Sequence, residues 1–87
     1  MEQKEEMQVG KVTHYFPKIG VAVVEVTQAS MKVGDEIRIK GKTTDFVQKV
    51  SSMQIEHDKI EMAEPGISIG MKVSEPVRAN DLVYKNI

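Results

Sequence analysis

The run Met31-Lys32-Val33-Gly34-Asp35-Glu36-Ile37-Arg38-Ile39-Lys40-Gly41 constrains the fold more than any other stretch, because it writes a tight turn, a strand and a second turn without a break. Gly34-Asp35 supplies a backbone reversal that a residue with a Cβ resists. Ile37 and Ile39 then alternate with Glu36, Arg38 and Lys40, which is the period of a half-buried strand. One face of such a strand meets a core and the other meets water. The run therefore predicts a sheet protein with a polar exterior.

The remaining chain repeats this grammar. Met7-Val9 and then Val12, His14 and Phe16 mark a first strand, with a change of phase near Gly10-Lys11 that suits a bulge; Phe16 is expected in the core. Pro17-Lys18-Ile19-Gly20 connects it to Val21-Ala22-Val23-Val24-Glu25-Val26, a run that is apolar on both faces at its middle and so asks for cover on its outer side. Phe46, Gln48 and Val50 set one phase and Met53 and Ile55 the other, which predicts a bulge at Ser51-Ser52 within a single strand. Pro65-Gly66 writes another turn, and Ile67, Ile69, Met71 and Val73 give the longest clean alternation, with Gly70 on the opposite face leaving room for a close crossing. Leu82-Val83-Tyr84 closes the chain as a last strand. No stretch carries a helical apolar stripe. The expectation is an all-β domain, a small closed antiparallel β-barrel over residues 7–87 behind a flexible, charged lead-in of residues 1–6.

At 87 residues there is material for one core. The absence of cysteine removes disulfides, thiolate metal sites and a cysteine nucleophile. A formal charge of −1 gives no bulk attraction to a polyanion, and DNA is not an expected partner. The acidic start and the lack of any long apolar run lead us to expect a soluble, cytoplasmic chain without a membrane partner.

Val9-Gly10-Lys11-Val12, Ile19-Gly20-Val21-Ala22-Val23-Val24, Lys32-Val33-Gly34-Asp35-Glu36-Ile37, Val50-Ser51-Ser52-Met53-Gln54-Ile55 and Ala63-Glu64-Pro65-Gly66-Ile67-Ser68-Ile69-Gly70 follow one another in an order that resembles the second domain of translational GTPases such as elongation factor Tu. The chain also resembles the barrel carried at the C-terminus of some collagenase-like peptidases. The first resemblance implies a non-enzymatic translation elongation factor-like module that docks RNA, as tRNA or ribosome, or a protein partner such as a GTPase domain. The second implies an accessory barrel of a peptidase system, with a peptidase domain as partner. No phosphate-cradling Gly-x-x-x-x-Gly-Lys-Ser/Thr run is present, so no GTPase activity is expected. Tyr15 to Val21, the stretch that matches the aminoacyl-tRNA contact region of the factors, lacks their arginine-glycine-threonine character.

The candidate contact residues lie in that same stretch: Lys11, His14, Tyr15, Lys18 and Gly20, where cationic and aromatic groups gather at a strand end. Chemistry is harder to write. His57 stands between Glu56 and Asp58, yet adjacent residues on a strand point to opposite faces, and a solvated hairpin accounts for them more simply than a metal site. Ser51 and Ser52 have no nucleophile elbow, and Glu5-Glu6 lie in the lead-in. No catalytic, cofactor or metal residue is therefore expected.

Overall fold

The computed structural model describes residues 6–56 and 58–86. These form ten strands: β1 (Glu6–Phe16), β2 (Val21–Val26), β3 (Met31–Lys32), β4 (Glu36–Lys40), β5 (Asp45–Lys49), β6 (Met53–Ile55), β7 (Asp58–Ile60), β8 (Met62–Ala63), β9 (Ser68–Lys72) and β10 (Leu82–Asn86). The lead-in assigned to residues 1–6 lies outside the described residues except for Glu6, with which β1 begins.

Eight strands form one antiparallel sheet in the order β5-β4-β10-β1-β2-β9-β6-β7, and β3 pairs with β8 in a small second sheet. The last strand in sequence is thus internal, seated between β1 and β4. All-β architecture and antiparallel pairing agree with the alternation in the sequence. A closed ladder does not form among the described residues, since β5 and β7 are the two ends of the sheet.

Alternation decides the interior. Ala22 on β2, Met71 on β9 and Met53 on β6 are consecutive cross-strand partners, and each is buried. Val12, Val24 and Ile69 make the next row, and Val83, Ile39 and Phe46 a third across β10, β4 and β5. Each fully buried branched side chain of this kind contributes about 1.5–3 kcal/mol.

Two departures from regular pairing set the direction of side chains on β1. The register with β10 slips between Gln8 and Gly10, close to the expected bulge. A second slip, against β2, falls between Val12 and His14 and leaves Thr13 as the extra residue. That second bulge corrects the expectation for Phe16. Without it Val12, His14 and Phe16 would share the inner face; with it His14 and Phe16 turn outward, Phe16 being 43% exposed, and Tyr15 packs against the core. Gly10 sits between both partners of β1, where an added Cβ would collide with the Glu25 carbonyl oxygen, so the close approach of β1 and β2 requires glycine.

The expected bulge at Ser51-Ser52 is instead a strand break. β5 pairs with β4, whereas β6 pairs with β7 and β9, so the change of phase records the chain crossing from one region of the sheet to another. Buried Val50 anchors the crossing: its N–H donates to Asp35 O at 2.9 Å and its carbonyl accepts from Gly34 N at 2.9 Å. Gly34 itself has φ +98° in the Lys32–Asp35 turn, where Asp35 N donates to Lys32 O at 3.0 Å and Lys32 N donates to the Asp35 carboxylate at 3.0 Å.

Buried Asp81 fixes the β9–β10 connection. Its carboxylate accepts from Arg78 N at 2.9 Å, its carbonyl accepts from Val12 N at 2.7 Å, and Asn80 N donates to Val12 O at 2.7 Å. On β5, Gln48 reaches the far side of the sheet: its Nε2 donates to Lys72 O at 2.9 Å and its Oε1 accepts from Ser74 N at 2.7 Å.

Candidate functional site

The five candidate contact residues separate once the strands are paired. Lys11 and His14 are exposed on the outer face of β1, while Tyr15 is half-buried and turned to the core. Lys18 and Gly20 lie in the connection to β2, whose Ile19 and Gly20 amides donate to Phe16 O at 3.3 Å and 2.9 Å. Lys72 Nζ donates to Ile19 O at 3.0 Å, and Val73 N to Gly20 O at 2.9 Å, which ties this connection to the end of β9.

Pairing assembles a face that the linear sequence does not show. His14, Val23, Gly70, Gln54 and Lys59 form one outward row across β1, β2, β9, β6 and β7. Phe16, Val21 and Lys72 form the row on one side of it, and Lys11, Glu25 and Ser68 the row on the other. Val21 and Val23 point away from the core and are half-buried by their neighbours, and the His14 and Phe16 rings meet at 4.8 Å in a tilted contact. Ile19, 59% exposed, extends the apolar patch onto the connection. At Gly70 the missing side chain leaves a shallow trough, whose walls are Val21 Cγ1 and Gln54 Cγ, 3.5 and 3.6 Å from where a Cβ would stand. The apolar character of both faces at the middle of Val21–Val26 is legible in the sequence. The places of Gln54, Lys59 and Lys72 are not, because they depend on which distant strands pair.

The other half of the outer surface carries an ion-pair cluster. Arg38 on β4 lies 3.8 Å from a Glu6 oxygen and 3.4 Å from an Asp45 oxygen, beside Tyr84 on β10 and Val47 on β5. Between the β4–β5 turn and the β9–β10 connection there is an open cleft of about 440 Å³ lined by Thr43, Asp45, Glu75 and Arg78 among others, where groups of both signs face one another. His57 lies outside the described residues. Among the described residues no three histidine, aspartate or glutamate side chains gather as a metal site would require, and no helix is long and apolar enough to cross a membrane.

No family model matches the chain. Among curated proteins it is 40% identical over 80 residues to an uncharacterized protease of Methanocaldococcus jannaschii, a match that spans 91% of this chain and 19% of the protease. It is also 37% identical over 83 residues to a collagenase of Porphyromonas gingivalis, spanning 94% of this chain and 20% of the collagenase. The chain thus spans about a fifth of the curated relatives that it matches. Among solved structures, the C-terminal domain of a Geobacillus thermoleovorans protein assigned to the U32 peptidases superposes with a TM-score of 0.83 at 25% identity, covering 88% of this chain and 89% of that one.

These relatives overturn the translation-factor reading. The expected elongation factor-like module in protein biosynthesis, docking tRNA or ribosome, has no support among them, and the peptidase resemblance takes its place. The turns and alternation that suggested the factors, such as Val33-Gly34-Asp35, specify how strands are joined and say nothing about what the strands hold. A protease and a collagenase are among the proteins this chain is similar to, and the C-terminal domain of a protein assigned to the U32 peptidases shares its fold.

Proposed function

We propose that this chain is a non-catalytic accessory domain of a U32-type peptidase system, which packs against the peptidase domain and adjusts its access to substrate. The observation that carries this reading is the pattern of coverage. More than nine-tenths of the chain matches a fifth of proteases that are otherwise much longer, so in the relatives this unit is one part beside a larger body. The outward apolar face of β2 supports the same reading, since a sheet face of that composition gains stability when covered.

We further propose that the sheet acts as a barrel closed at its seam by side chains. The Gln48 amide, bonded to Lys72 O and Ser74 N, ties β5 to the chain where it leaves β9, beyond the ladders that β9 makes with β2 and β6. A body closed in this way presents its outer face at a constant curvature to a partner.

The test uses the Methanocaldococcus jannaschii protease with its matching fifth deleted, and that excised fifth as a positive control. Co-elution of this chain with the truncated protease, together with a change in the rate of peptide cleavage, is the expected result. No co-elution and an unchanged rate, with the control binding, would remove the accessory role.

A further inference from the structure

We infer that the outer face of β1, β2 and β9 is the surface that docks the peptidase domain, and that it takes an acidic protein surface bearing an aliphatic knob; this rests on the accessory role proposed above. Three observations converge. The centre of the face is aliphatic, made of Val21 and Val23 with Phe16 and Ile19 at its edge, while every inner neighbour of these residues on β2 is already fully buried. Gly70 leaves a gap that a single methyl would fill, Val21 Cγ1 and Gln54 Cγ standing 3.5 and 3.6 Å from where its Cβ would be, so a small aliphatic group of a partner can approach the backbone there. Around this centre, among the described residues, stand Lys11, Lys18, Lys59 and Lys72 against Glu25 on β2 and Glu56 in the turn after β6, so lysines outnumber acids at the rim of a chain whose formal charge is −1.

An apolar centre inside a charged rim is the anatomy of a protein interface. A polynucleotide would use the lysines but has no aliphatic group to place over Gly70 and the two valines. It would also want stacked bases, for which this face offers, among the described residues, the His14 and Phe16 rings, already in contact with each other. The cationic rim steers an acidic partner surface and fixes its orientation, and the knob over Gly70 sets the distance of closest approach.

Binding of the truncated protease to four forms of the full chain separates the outcomes. Lys11→Glu with Lys59→Glu alters only exposed side chains, and binding should weaken about tenfold, the wild-type interaction itself weakening with added salt. Gly70→Ala places its Cβ in ordinary contact with Val21 and Gln54, so the fold survives while the trough fills, and a loss of about fivefold or more is expected. Met62→Ser changes a 53% exposed side chain on β8, which belongs to the small second sheet and to none of the rows of this face, and should leave affinity within twofold. If the wild type binds and Met62→Ser is the variant that loses affinity, the docking face is wrong and the accessory role stands. Should the wild type fail to bind while the control binds, both readings fall together. If the lysine variant binds the protease normally but has lost affinity for a single-stranded RNA that the wild type holds, the face is a nucleic-acid surface and the proposal is overturned.

Discussion

The two halves of the outer surface are built from the same kind of strand and finished in opposite ways. On β5, β4 and β10 the outward positions hold Val47, Arg38 and Tyr84, and the Arg38 guanidinium lies between Glu6 and Asp45, which answer its charge although its Nε makes no hydrogen bond. On β2 and β9 the outward positions hold Val21, Val23 and Gly70, with lysines outnumbering acids at the edge. The first half pairs its arginine internally and exposes one large aliphatic side chain on β5, Val47. The second leaves apolar area and cationic charge for something else to answer, and on that difference, more than on any single residue, the proposed docking rests.

The largest expected effect falls on β1, the strand on which both halves hang. Gly10→Ala drives a Cβ into the Glu25 carbonyl and should cost about 1–3 kcal/mol, read as a lower midpoint in urea unfolding. A loss well below this range would mean that the approach of β1 to β2 is looser than described. Next comes the seam: Gln48→Ala removes two hydrogen bonds between β5 and the end of β9, at about 1 kcal/mol each. Amide exchange in β5 should accelerate with it, and unchanged exchange would leave the barrel without its closure. Arg38→Ala should cost less than about 1 kcal/mol, because the pair is half-exposed and screened, and the loss should shrink further in high salt. Smallest of all, Val23→Thr keeps the β-branched shape at a half-buried outward position and should shift stability by no more than about 0.5 kcal/mol, whereas the same change at fully buried Val24 would bury a hydroxyl and cost about 1–3 kcal/mol. Equal penalties at the two valines, measured by thermal unfolding, would erase the contrast between inner and outer faces.

Local grammar was legible throughout. The Gly34 turn, the half-buried strand over Ile37 and Ile39, the Pro65-Gly66 turn and the alternation through Ile69 and Met71 all depend on residues within a few positions of one another, and all are present. What failed depends on partners far along the chain. A single extra residue at Thr13 reversed the facing of His14, Tyr15 and Phe16, and threonine fits a bulge or a regular strand equally well. Ser51-Ser52 read as a bulge because a change of phase cannot tell a bulged strand from two strands that leave for different neighbours. The insertion of β10 between β1 and β4 and the Gln48 bridge to Lys72 and Ser74 have no local signature at all. The candidate site was half legible for the same reason. Lys11, His14 and Lys18 stand out in the sequence by their crowding at one strand end, while Gly70, Gln54, Lys59 and Lys72 come beside them only through pairing, and their role in docking is a proposal.

The most direct measurement is an amide shift map of the isotope-labelled chain titrated with the protease that lacks its matching fifth. Shifts concentrated at His14, Phe16, Val21, Val23 and Gly70, with Arg38, Tyr84 and Val47 unmoved, are the expected result. Shifts centred on Arg38, Tyr84 and Val47, with the β2 and β9 outer face silent, would contradict it.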